Sequence, residues 1–369
     1  MPEDDRKQRV VAKYVQPPQR RTATTAPTTT VFIKDKLKRY VEYIQLEEQQ
    51  YKNPWSFSKI PLLCWVEVAL GSLNIGKYKP DHLHLSFKHL KVKCDATKNY
   101  TCLEYIFQRG HDRFTSKTVV VFMPLTTNAV EFMPVLKHLY YSHGFNIVVL
   151  HRINAHCRND VQGDKHIPFG LVADARNALE HFVTHKMAQG AGAGLVAMGV
   201  SMGASFLMRT VAECPKLFSG IALIAPPTSM KTLAAENKTF AQQKKTQYLM
   251  RQMNARLFQD HARLPRVEAE FFKAVSLGYG FQQTTDFLDY MELRRYIPNM
   301  RVPTLCIVDY DDLLCEFDPD FMRACNGNPC MMPVVTHKGN HCLYTDVMKR
   351  FTFEASWPYQ KAAEFLALV

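Results

Sequence analysis

Hydrophobic and polar positions change their period repeatedly along this chain, and the changes divide it into elements. Short continuous apolar runs occupy 118–122, 146–150, 195–198, 220–224, 304–308 and 332–335. Runs of this length, rich in Val, Ile and Leu and bounded by Gly or Pro, predict buried strands. The stretches 90–94 and 101–107 predict a further pair. Between most of these runs the period becomes helical, notably over 131–142, 173–185 and 204–214. In the last, Phe206, Leu207 and Val211 share a face and Pro215 stops the helix. Strands alternating with amphipathic helices predict an α/β fold built on a mostly parallel, eight-stranded sheet covered on both faces.

Three segments break the alternation. Residues 1–30 mix charge, proline and a Thr-rich tract with little to bury, which predicts a disordered basic tail. Next, Ile33, Leu37, Tyr40, Val41 and Ile44 recur at helical spacing, which predicts an amphipathic helix opening an N-terminal helical extension, 31–80. Its apolar stripe is expected to pack on its own domain in preference to a membrane. Finally, 226–300 is polar and helix-rich between two core strands. It predicts a helical lid inserted over the strand ends, dividing the core into 81–225 and 301–369.

Length and composition narrow the picture. With 369 residues, 47% of them hydrophobic, the chain suffices for one large core with an insertion. Lys and Arg number 46 against 34 Asp and Glu, a net charge of +12 that favours anionic surfaces. The basic residues form small dispersed clusters without interleaved aromatics, so no nucleic-acid partner is expected. Solvated faces are the plain reading, and peripheral contact with an anionic membrane is the sharper one. The ten cysteines are scattered and lack any C-x-x-C pair, and no apolar signal segment opens the chain. Reduced buried thiols and a cytoplasmic location are therefore expected, with the sequons at Asn99 and Asn237 accidental. The apolar run at 60–66 ends at Glu67 and is too short to span a bilayer, so no transmembrane helix is expected.

Chemistry concentrates around Gly199-Val-Ser201-Met-Gly203. This G-x-S-x-G pattern follows a strand and precedes a helix, the context in which a serine sits on a cramped turn with small residues on either side. A serine hydroxyl is a weak nucleophile unless a base takes its proton and a carboxylate orients that base. Both types follow later in the chain. Asp311 and Asp312 come after the strand ending at Val308, and His337 and His341 come after the strand ending at Val335. Asp312 and His341 are preferred, Asp311 and His337 being the alternatives. The H-x-x-x-H spacing also suits a metal, but the glycine between the two argues against a helix and no acidic motif accompanies them, so no metal ligand is expected. An oxyanion needs two backbone N–H groups. Met202 is one candidate donor, and Leu125 or Thr126 in the loop after the third core strand is the other. No cofactor is implied.

Six segments then fall in a recognisable order: Pro124-Leu-Thr-Thr, Gly199-Val-Ser-Met-Gly203, Gly278-Tyr-Gly-Phe281 with Asp286-Phe-Leu-Asp-Tyr290, Val302-Pro-Thr-Leu305, Asp311-Asp312, and His337-Lys-Gly-Asn-His341. In this the chain resembles the α/β-hydrolases, and within them the YheT-like abhydrolase group of esterases and lipid hydrolases. The sequence departs from that group's pattern in lacking a glycine after Pro124 and in having His151-Arg152-Ile153 after the fourth strand. The resemblance implies an α/β-hydrolase fold, with Ser201, Asp312 and His341 as nucleophile, acid and base of a serine esterase. It further implies a lipid or medium-to-long acyl ester as substrate. An acyltransferase using the same triad, or a catalytically silent scaffold on the same fold, are the alternatives.

Overall fold

The computed structural model describes residues 29–50, 85–95, 97, 99–110, 112–125, 129, 132–151, 168–187, 194–234, 243, 246–247, 250–251, 268–310, 312, 314–337, 341 and 355–369. The expected tail, most of the rest of the N-terminal extension, Thr126, Asp311, Asn237 and much of 235–267 lie outside them. Eight strands form one sheet: β1 Lys88–Lys93, β2 Tyr100–Ile106, β3 Thr118–Phe122, β4 Asn146–Leu150, β5 Leu195–Val200, β6 Gly220–Ile224, β7 Thr304–Asp309 and β8 Met331–Thr336. Their spatial order is β1-β2-β4-β3-β5-β6-β7-β8. β2 runs antiparallel to both β1 and β4, and all the other pairings are parallel.

The principal helices are α1 Thr29–Gln50, α2 Met133–Lys137, α3 Val172–Phe182, α4 Met202–Glu213, α5 Glu268–Gly278, α6 Thr284–Met291, α7 Pro319–Asn326 and α8 Trp357–Leu368. The helical pattern at 131–142 resolves into α2 followed by a wider π turn, His138–Ser142. Pro134, which lacks an N–H, falls in the first turn, where that donor has no helical partner.

Alternation along the strands explains the two layers. Val120, Phe122, Val148, Leu150 and Ala197 face one cluster, which α3 to α7 cover. Val119, Val121, Ile147, Val149 and Val196 face the other, covered by α1, α2 and α8. As its period requires, α1 buries Leu37, Val41 and Ile44 in that second cluster. Polar contacts fix its register: Tyr40 donates to Glu364 at 2.7 Å, Trp357 Nε1 donates to Glu47 at 3.2 Å, and Lys361 pairs with Glu47 at 2.9 Å.

Two sequence expectations concern modification. Asn99 is buried and its Nδ2 donates to Asp174, so this sequon offers no acceptor to a glycosylating enzyme in the folded protein. The expectation of reduced thiols is corrected at Cys102, in β2, which is disulfide-bonded. A single cysteine in a strand gives no spacing signal, which is why the sequence does not reveal the bond. Cys94, Cys214, Cys306, Cys315, Cys325 and Cys330 are not in disulfides. Among the described residues no helix is long and apolar enough to cross a membrane.

At the end of α4, burial pushes the Glu213 carboxyl up to about 7, against the opposing influence of Arg209 and Arg176. The sign follows directly. Folded protein holds this proton up to about pH 7 whereas unfolded chain releases it near its ordinary value, so stability is fully present at low pH and declines as pH rises through 7. Glu213→Gln is expected to leave Tm unchanged near pH 4.5 and to raise stability near pH 8 by on the order of 2 kcal/mol, partial exposure discounted. Thermal melts of both proteins across this range check it, and parallel profiles would remove Glu213 as the cause.

Candidate active site

The chain reverses sharply where β5 meets α4. Ser201 has φ 53° and ψ −127°, a left-handed backbone that a residue with a Cβ rarely adopts. Neighbours hold it there: its N–H donates to Ile224 O at 2.8 Å, and its own carbonyl accepts from Ala204 N at 2.8 Å. The flanking glycines are required by close approach. A Cβ on Gly199 would lie 2.6 Å from Ala204 Cα, and one on Gly203 would lie 2.1 Å from Phe122 O. Strand and helix can pass at this distance only without those side chains.

Ser201 Oγ lies 2.8 Å from His341 Nε2, and His341 Nδ1 lies 2.8 Å from Asp312 Oδ2. A carboxylate only accepts, so Nδ1 carries the proton and Nε2 presents its lone pair to the serine. The other oxygen of Asp312 accepts from Leu314 N at 2.7 Å and Cys315 N at 2.8 Å. Its side chain is 3% exposed and that of His341 11%. The three residues thus come from three loops, after β5, β7 and β8, all at the carboxyl ends of parallel strands.

The competing histidine is elsewhere. His337 directly follows β8, is exposed and lies beside Tyr310, ring centroids 5.5 Å apart. Asp309, the last residue of β7, is buried and accepts from Thr336 Oγ1 at 2.7 Å. His151, where the sequence departs from the resembled pattern, is buried with Nε2 3.1 Å from Glu104, and its N–H donates to Cys102 O. It ties the end of β4 to β2.

An apolar cleft of about 540 Å³, its solvent-open mouth included, opens onto Ser201 and His341. Leu125 and Met202 line it, so both candidate oxyanion residues border the same space as the serine. They reach it because β3 and β5 are hydrogen-bonded neighbours, while the strand that follows β3 in sequence lies on its other side. In an open α/β sheet, the crevice above such a switch point is where ligands bind.

With this strand order and the sharp turn at Ser201 in place, comparison with solved structures is direct. An esterase from Pyrococcus furiosus superposes with a TM-score of 0.51 at 16% identity, covering 79% of this chain and 94% of its own. A thermostable esterase from Pseudomonas putida gives 0.51 at 13% identity, over 89% of this chain and 94% of its own. This chain has the α/β-hydrolase fold. No protein-family model matches the sequence, and neither does any curated protein.

Within the α/β-hydrolase frame, the aromatics of 226–300 divide between two roles. Phe271 and Phe272, on α5, line the cleft. Phe281, Phe287 and Tyr290 pack on one another around Tyr279, with ring centroids 5.2–6.0 Å apart between Phe287 and its two neighbours Tyr279 and Phe281. The sequence reading did not single out Arg209, which is fully buried in α4. Arg209 donates to Phe169 O at 2.8 Å and to Tyr290 Oη at 3.0 Å, while Phe169 N donates to Tyr279 Oη at 2.9 Å. Phe169 is thereby pinned in the cleft wall. One charged residue in the middle of an apolar helix was the available signal. Cys315, in the wall beside Asp312 and His341, was also missed, because a lone cysteine in a loop carries no pattern.

Proposed function

We propose that this chain is a serine hydrolase of carboxylic esters, acting through Ser201, His341 and Asp312 by way of an acyl-enzyme. The observation that carries the reading is the unbroken hydrogen-bonded series from Ser201 Oγ through the imidazole to a carboxylate held by two backbone N–H groups. Ser201 Oγ attacks the ester carbonyl as its proton passes to His341 Nε2, and Asp312 stabilises the imidazolium through Nδ1–H. The oxyanion that forms faces the backbone N–H groups of Met202 and Leu125. Collapse expels the alcohol, which takes the proton from Nε2. Water then enters, gives its proton to the same nitrogen and releases the acid.

The cleft supports an acyl chain as the recognised part of the substrate. Phe169, Met230, Met250, Phe271, Phe272 and Leu314 line it, and among the described residues no lysine, arginine or glutamate does. Such walls favour lipid or medium-to-long acyl esters, in keeping with the YheT-like group whose motifs the sequence shares. An acyltransferase would differ only in admitting an alcohol where water attacks. The same proposal includes peripheral contact with an anionic membrane, for which the exposed Lys36, Lys38 and Arg39 of α1 are available.

A series of p-nitrophenyl esters tests the reading. Octanoate is expected to exceed acetate in kcat/KM by at least about tenfold, since each buried methylene contributes roughly 0.8 kcal/mol. A flat series would reject the acyl cleft. Folded protein that hydrolyses no ester and takes no fluorophosphonate label would favour the scaffold alternative.

A further inference from the structure

We infer that Asp312, Cys315 and His341 form a binding site for a thiophilic divalent cation, with zinc as the best match, and that occupancy silences the serine. The site regulates the reading proposed above and rests on that reading for its consequence, though not for the binding itself. One ligand atom from each of the three residues lies within 4.8 Å of the others. Two of them belong to a single D-x-x-C turn. The N–H of Cys315 itself, with that of Leu314, fastens to Asp312 Oδ1, which holds the thiol and the carboxylate on the same turn. The third arrives on the loop after β8. In a tetrahedral zinc site with bonds of roughly 2.0–2.3 Å, ligand atoms stand about 3.3–3.8 Å apart. The thiol must therefore close in by on the order of 1 Å, while His341 Nδ1 and Asp312 Oδ2, 2.8 Å apart in their hydrogen bond, must part by roughly half an ångström where Nδ1 is the ligand, and both changes are within the reach of side-chain rotation.

The donor set selects the metal. Imidazole with a thiolate and one carboxylate suits zinc, whereas magnesium and calcium call for shells of oxygen. Cys315 is not in a disulfide, and its half-buried thiol stands at the wall of the cleft, so a hydrated ion has a route to it. Binding forms the zinc–sulfur bond as the thiol releases its proton to solvent, with no change of oxidation state.

Occupancy and catalysis exclude each other on simple proton grounds. A cation held by Nδ1 takes the place of the proton shared with Asp312, and a neutral imidazole then carries its proton on Nε2. That nitrogen faces Ser201 as a donor and can no longer accept its proton. A cation held by Nε2 removes the base outright.

Cobalt supplies a readout independent of turnover, because a thiolate bound to Co²⁺ gives a charge-transfer band in the near ultraviolet. Full-length reduced protein titrated with Co²⁺ is expected to develop this band and to lose it on addition of Zn²⁺. Cys315→Ser should abolish the band and weaken zinc binding, measured by competition, by at least about a hundredfold, the upper end of what losing even an outer-shell partner costs. Ser201→Ala should keep both band and affinity. Zn²⁺ should also slow fluorophosphonate labelling of the wild-type protein, and a chelator should restore it. His341→Gln should weaken the band in protein shown by circular dichroism to be folded; where that variant does not fold, Cys315→Ser decides. An unchanged band and zinc affinity in Cys315→Ser would overturn the site. Labelling that proceeds equally fast with zinc bound would overturn the silencing. Metal-free protein that shows the band on titration but never labels would instead count against the hydrolase reading and leave the metal site standing.

Discussion

Ser201→Ala is expected to lower ester turnover by on the order of 10⁶ and to abolish fluorophosphonate labelling, while Tm moves by only a few degrees. The size of the activity loss follows from the unity of the three groups. Without the hydroxyl, His341 has no proton to take and Asp312 no imidazolium to stabilise, so removing the nucleophile removes what all three supply together. The small stability effect follows from the local structure. The φ of 53° at this position is as demanding for alanine as for serine, and the backbone bonds to Ile224 and Ala204 do not involve the side chain. A purified variant that is folded by circular dichroism and retains more than about a tenth of wild-type turnover would show that another residue is the nucleophile.

Much of the fold can be read in the sequence because it rests on period and length. The central strands are continuous runs of Val, Ile and Leu, buried on both faces, and observed and expected boundaries differ by no more than about two residues. The helix at α1 is equally plain, since Leu37, Val41 and Ile44 lie one turn apart and all three are buried. Groups defined by contact across the fold are harder to read. Nothing local distinguishes Asp312 from its neighbour Asp311; what singles it out is the pair of N–H donors on one oxygen and an imidazole on the other. Arg209 reads as an anomaly in an apolar helix until Phe169, brought in from another loop, supplies the carbonyl it holds. Cys315 gains chemistry only when the loop after β8 places His341 beside it. The disulfide at Cys102 likewise depends on a partner that sequence spacing does not indicate.

The carboxylate offers the second large effect, and the structure makes its direction specific. Asp312→Asn is expected to reduce kcat by about 10⁴ at neutral pH while leaving Tm within a few degrees of the wild-type value. Leu314 N and Cys315 N both donate to Oδ1, so the asparagine must keep its carbonyl oxygen facing them. Its NH₂ is then turned towards His341 Nδ1, a nitrogen that had donated to Oδ2 and must now accept. The imidazole proton moves to Nε2, where it confronts Ser201 as a donor, and the base is lost without any displacement of atoms. Asp309→Asn supplies the contrast. Asp309 is buried, and its carboxylate accepts from Thr336 across β7 and β8, so the substitution is expected to lower Tm but to change kcat by less than about tenfold. The two variants, compared by steady-state kinetics on one acyl ester and by thermal melts, should therefore separate cleanly, activity failing in one and stability in the other. Should Asp312→Asn keep its activity while Asp309→Asn or Asp311→Asn loses it, the acid would have to be reassigned and His341 would need a different explanation for its place between Ser201 and Asp312.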